Sequence, residues 1–204
     1  MRREAFDNNK IHLTGVVAND PKFSHEVPNE KIYEFEIKCK RASEYVDTLK
    51  CLIPEVFISN VKEGKTIKLE GEIRTRNIEE DNKSKLKISV FVINEPTISE
   101  DEKHSNLVSI KGVLCKDTIF RETPLGREIA DLLLAVNRPY GKADYIPCVI
   151  WGRNAIMAKQ YKVGTKVELS GRLQSREYNK MIDDKCEKKV AYEMSASIIK
   201  VVEE

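Results

Sequence analysis

The chain is short of the residues from which most active centres are built. Its three histidines, His12, His25 and His104, are scattered. Its five cysteines, Cys39, Cys51, Cys115, Cys148 and Cys186, form no C-x-x-C pair, and no histidine stands at ligand spacing from any of them. A metal site is therefore not expected. An odd set of thiols, with Cys51 and Cys148 inside apolar runs, fits buried thiols in a reducing compartment better than a disulfide framework. There is no nucleophile elbow, phosphate loop or histidine–carboxylate constellation. The adjacent pair Asp183-Asp184 falls on a candidate hairpin tip and reads as a solvated turn. Catalysis and a cofactor are accordingly not expected. No stretch approaches a membrane span, and the opening MRREAFDNNK is charged without an apolar core of the secretory kind, so a cytoplasmic protein is expected.

Charge of one sign is lacking too. The net charge is +2. Residues 1–100 hold 17 Lys and Arg against 18 Asp and Glu, and residues 101–204 hold 18 against 15, so the small cationic excess lies in the second half.

What is present is a repeat. Ile11–Val17 (IHLTGVV) matches Val108–Leu114 (VSIKGVL) at an offset of 97, which also lays Asp20 on Asp117, Arg41 on Arg138 and Cys51-Leu-Ile53 on Cys148-Val-Ile150. Glu63–Ile73 matches Val163–Leu173 once the offset becomes 100, and 87–93 can be laid on 193–199. The order is the same in both halves and the shifts fall in loops. Two tandem domains follow: 1–96, a polar linker at 97–106, and 107–204. Alternating apolar residues place strands near 10–18, 31–41, 46–53, 65–76 and 85–95, and again near 107–115, 127–137, 145–151, 165–178 and 190–202. A helix is expected from Arg153 to Tyr161, with a weaker counterpart over Glu55 to Val61. The expected class is all-β: two tandem five-stranded antiparallel Greek-key barrels of the OB type, each with one short helix. Gly15, Gly112, Gly71 and Gly171 sit inside strands where a barrel must bend. The charged stretches 78–85 and 179–189 are expected as hairpin tips, and the second, with its lysines, is long enough to close over a bound strand.

The stretch 144–178 carries the functional signal. Residues two apart share a strand face. Val167, Leu169, Gly171 and Leu173 therefore face a core, while Arg172, Gln174, Arg176 and Tyr178 face outward. Tyr145 and Trp151 share one parity in the preceding strand. Rings interleaved with arginines suit single-stranded nucleic acid, whose bases offer flat faces and whose phosphates need cations.

These residues also resemble the bacterial single-stranded DNA-binding protein family. The resemblance rests on Tyr145–Ala155 (YIPCVIWGRNA), Lys162–Gly164, Val167–Tyr178 (VELSGRLQSREY) and Ala191–Ala196, and it spans nearly the whole second copy. It implies a non-catalytic, sequence-tolerant single-stranded DNA-binding protein of replication, recombination or repair, nucleoid-associated. It implies base stacking on Tyr140, Tyr145, Trp151 and Tyr178, and phosphate contacts from Arg138, Arg153, Arg172 and Arg176, with Lys142 as a further cation. RNA is admitted as a second ligand, since stacking does not read the 2′-OH. The first copy departs from the pattern. Ser43, Thr48, Pro54 and Ile78 stand at the stacking positions, and Glu70 and Glu72 replace Ser170 and Arg172. It is expected to bind weakly or not at all. Relatives commonly join four such domains, so a homodimer is expected, formed by pairing the open first strands 11–17 or 108–114, with a self-contained monomeric pair as the alternative. The family's acidic tip has only Val201-Val-Glu-Glu204 as a counterpart, so recruitment of enzymes through a tail is not expected. The alternative reading is a primosome-type accessory or protein-interaction module.

Overall fold

The computed structural model describes residues 7–80, 83–101, 103–123, 125–182 and 185–202. Asp183 and Asp184, and the final Glu203 and Glu204, lie outside the described residues. The first half runs β1 (Asn9–Val17), β2 (Lys22–Val27), β3 (Glu30–Lys40), β4 (Val46–Pro54), β5 (Thr66–Glu80), β6 (Lys83–Val92) and β7 (Thr97–Ile98). The second runs β8 (Ser105–Leu114), β9 (Ile119–Glu122), β10 (Glu128–Asn137), β11 (Ala143–Trp151), helix α1 (Arg153–Ala158), β12 (Lys166–Ile182) and β13 (Lys185–Val201).

In each half five strands close a ring. The order is β1-β3-β4-β6-β5 and back to β1 in the first half, and β8-β10-β11-β13-β12 and back to β8 in the second. The rings are not wholly antiparallel as expected, because β4 runs parallel to β6 and β11 parallel to β13. Topology requires this: directions cannot alternate all the way round a ring with an odd number of strands. Three strands were not legible in the sequence. β2 and β9 flank β3 and β10, and the two-residue β7, at the start of the polar segment, pairs with β5. The fourth and fifth strands are also longer than expected, keeping register out to Glu80↔Lys83 and Ile182↔Lys185.

Alternation explains the core. In β3, Phe35, Ile37 and Cys39 point inward while Glu36, Lys38 and Lys40 point out, and β12 likewise buries Val167, Leu169 and Leu173. The core residues of both halves form one continuous apolar cluster. At Gly171 a Cβ would stand 2.1 Å from the Ser195 carbonyl oxygen, and at Gly112 one would stand 2.5 Å from that of Ala135. Both glycines therefore permit strand crossings that no larger residue allows. A bulge beside Gly171 adds Ser197 to β13.

The helices differ between the halves. α1 is shorter than expected and buries Ala155 and Ala158, one turn apart, after Gly152 turns the chain with φ +59°. The expected helix over 55–61 is only the 3-10 turn Glu55–Phe57. It buries no residue, and Val56 is exposed. A short helix without an apolar stripe to bury is not held together.

The first strands are not open edges. β1 and β8 pair antiparallel within the chain, from Asn9↔Ile110 to Thr14↔Ser105. This corrects the expected route to a homodimer, because the backbone groups that would recruit a second copy already satisfy one another. The pairing joins β5, β1, β8, β12 and β13 into a single sheet shared by both barrels.

Candidate nucleic-acid interface

A pseudo-symmetric clasp fixes the two halves relative to each other. Asp144 opens β11 and is fully buried, and its carboxylate reaches the first half. Its Oδ1 accepts from the Thr75 amide at 2.6 Å and the Thr75 hydroxyl at 3.3 Å, while Arg74 Nη1 and Arg138 Nε approach Oδ2 at 3.1 and 2.8 Å. Asp47, its counterpart at the offset of 97, accepts from the Ser175 amide at 2.7 Å and hydroxyl at 3.1 Å, with Arg41 Nε at 2.7 Å. Each buried carboxylate thus neutralises an arginine of its own half and grips the long fourth strand of the other. Buried charge is tolerable only when paired and hydrogen-bonded in this way. Thr75 Oγ1 also accepts from the Tyr145 amide at 2.9 Å, so the first half holds the backbone of a ring in the second.

On the second half Tyr145, Trp151 and Tyr178 are 49%, 40% and 37% exposed. Such exposure of three rings beside cations needs an explanation, since rings of this size usually find cover. Trp151 lines an open cleft of about 610 Å³ together with Arg172, Arg127, Asn106, Ser195 and Ser197. Arg172 is half-buried, and its Nε is buried without a hydrogen-bond partner. Burial, and then the charge of Arg41, push its guanidinium below the ordinary value. A cationic N–H without an acceptor beside an exposed indole can receive an anionic oxygen next to a flat ring. Arg176 lies 5.7 Å from the centre of the Tyr178 ring and 3.5 Å from Glu193. Gln174 shares the outward parity but is buried, bonded to Glu193 at 2.9 Å and Arg172 at 3.1 Å.

The remaining candidates divide. Arg153 and Lys142 are exposed on the second half. Arg138 is held by Asp144 and the Thr75 carbonyl, so its charge is committed to the clasp. Tyr140 falls in the 3-10 turn Pro139–Gly141, and its side chain lies outside the described residues. Arg127 was missed from sequence. It sits on the β9–β10 hairpin, and the four-residue strand Ile119–Glu122 offers too little alternation to reveal that hairpin. The clasp residues Asp47 and Asp144 were missed as well, although both coincide under the repeat offset.

The first half presents a cleft of mixed charge. Lys22, Lys38, Lys50 and Arg76 share a cleft of about 550 Å³ with Glu34 and Glu36. Arg74 is paired with Glu72 and Asp144.

The family model described as the single-strand binding protein family matches residues 105–202. The second half of the chain is similar to that family. Single-stranded DNA-binding proteins of Halalkalibacterium halodurans and Oceanobacillus iheyensis are 38% and 40% identical to it, over 81 and 80 residues. Each match covers 36% of this chain and 48% or 50% of the relative, so the chain spans about half the length of the curated relatives it matches. The tandem architecture has a solved counterpart. The wild-type single-stranded DNA-binding protein of Thermus aquaticus aligns over 96% of this chain and 93% of its own, with a TM-score of 0.78 and 20% identity. At that identity the likeness speaks for the fold, which is two tandem OB barrels.

Proposed function

We propose that the protein binds single-stranded DNA without sequence preference, bases lying on Tyr145, Trp151 and Tyr178 and phosphates on Arg172, Arg176, Arg153 and Lys142. The observation that carries this reading is the exposed Trp151 beside Arg172, whose buried Nε lacks an acceptor. Tyr140 is included as a fourth stacking residue on the family resemblance. Arg138 belongs to the clasp and is left out of the phosphate set, while Arg127 joins it. Stacking is tolerant because every base has a π-face, and duplexes hide theirs. RNA is a second ligand of the same chemistry.

The domain limits proposed from sequence, 1–96 and 107–204, suit this division of labour. The second domain holds the strand and the first braces it through the clasp. A role in replication, recombination or repair in the cytoplasm follows from the ligand. Among the described residues no helix is long and apolar enough to cross a membrane.

The test uses the lone tryptophan. Titration with oligo-dT should quench Trp151 fluorescence saturably. Affinity should fall with salt, with a log–log slope of about 0.7 for each phosphate neutralised. A flat titration at low salt, or equal quenching by duplex, overturns the reading.

A further inference from the structure

We propose that the first half completes the single-strand face of the second by supplying Tyr45 as an additional base-stacking ring. The inference rests on the reading of the second half as the single-strand site.

Tyr45 lies in the hairpin between β3 and β4 and is 42% exposed. The hairpin is tight: the Arg41 amide donates to the Tyr45 carbonyl at 2.8 Å, and Glu44 turns the chain with φ +67°. The Arg41 guanidinium stands over the ring, 4.4 Å from its centre. That guanidinium is itself fixed, because Asp47 holds it at Nε and its Nη2 donates across the junction to the Ser175 carbonyl at 3.1 Å. The ring therefore rests on a cation anchored in both halves. One of its faces is covered by the guanidinium, and a base on the other would complete a cation–ring–base stack. A ring already held in place gives up little conformational freedom on binding.

Its location joins it to the face already described. Ser175 sits between Gln174 and Arg176, and both of those side chains reach Glu193. The Arg41–Tyr45 pair of one half thus meets β12 one residue away from Arg176, whose guanidinium lies by the Tyr178 ring of the other. Strict alignment of the repeats overlooks Tyr45, because it does not fall on any of the family's stacking positions. It serves the neighbouring half rather than its own.

The experiment compares the full chain with Tyr45→Leu and Tyr45→Phe by Trp151 quenching with oligo-dT, and maps photocrosslinks from an oligo-dT carrying 5-iodouracil. Melting temperatures check that the variants are folded. Loss of one stacking contact should weaken binding by about five-fold or more in Tyr45→Leu. Tyr45→Phe should bind like the parent, and a crosslinked nucleotide should map to Tyr45. Parent-like affinity of a folded Tyr45→Leu, equal weakening by Tyr45→Phe, or crosslinks confined to the second half would each overturn the proposal. If the parent itself fails to quench, it is the reading of the second half that fails.

Discussion

At the residue scale, environment decides the chemistry of identical side chains. Burial, with Asp47 nearby, pushes the Cys39 thiol up to about 12, and burial raises Cys51 and Cys148 as well. Raised values mean that the neutral thiol persists at physiological pH, and only the thiolate attacks an alkylating agent. At pH 8 about one Cys39 in ten thousand would be ionised. Cys186, on the β12–β13 hairpin, is exposed. Iodoacetamide at pH 8 should therefore modify Cys186 in the native protein, leaving Cys39, Cys51 and Cys148 for the denatured chain. Peptide mass mapping reads the order, and early labelling of Cys39 would contradict the buried environment. Arginine shows the same dependence on context. Arg138 and Arg172 have similar claims to a phosphate by sequence, yet Arg138 stands 2.8 Å from the Asp144 carboxylate, whereas Arg172 is bonded to the neutral Gln174.

At the element scale, the long fourth strands, β5 and β12, tie the molecule together. Each runs past its own barrel to meet the buried carboxylate that opens or follows a hairpin in the other. Removing one such carboxylate leaves part-buried arginines short of a counter-charge and a buried backbone amide without an acceptor, which typically costs about 1–3 kcal/mol. Asp144→Ala should lower the urea midpoint accordingly, and it should also weaken single-strand binding, because Thr75 would lose the partner that fixes it against Tyr145. An unchanged midpoint would show that the clasp adds nothing to stability. Gly171 illustrates a different constraint at this scale, since its crossing with β13 leaves no room for a methyl group.

At the scale of the whole molecule, the β1–β8 pairing makes one chain into a two-barrel unit with a single continuous sheet. The outward surface of that sheet keeps apolar side chains in the open: Leu107 is 63% exposed and Ile198 49%. Ile198, Ser170, Ser109 and Lys10 follow one another across the strands, with Leu107, His12 and Glu70 in the neighbouring row. We propose this face as the contact of a homodimer of four barrels, since the first-strand edges already pair within the chain. Sedimentation equilibrium should then give twice the chain mass, and Leu107→Glu should reduce it to one. A parent that sediments as a single chain would rule the dimer out and leave the self-contained monomeric pair.

Much of this was written in the alternation and the repeat. Tandem barrels, most strand positions, the core of β12 and the exposed set Tyr145, Trp151 and Tyr178 all follow from local rules, because a strand's two faces are set by parity and a family motif is contiguous in sequence. The sequence by itself therefore determined what kind of domain occurs twice, and where the second half exposes Tyr145, Trp151 and Tyr178. Tertiary structure alone decided how the copies meet. The β1–β8 pairing joins residues about a hundred positions apart, and nothing local distinguishes an edge that will be paired within the chain from one left for a partner. The same holds for the clasp. Asp47 and Asp144 look like ordinary strand-end carboxylates until the other half places a threonine or serine amide against them. Tyr45 gains its place for the same reason, because the Arg41 guanidinium over its ring is held by the Ser175 carbonyl of the other barrel.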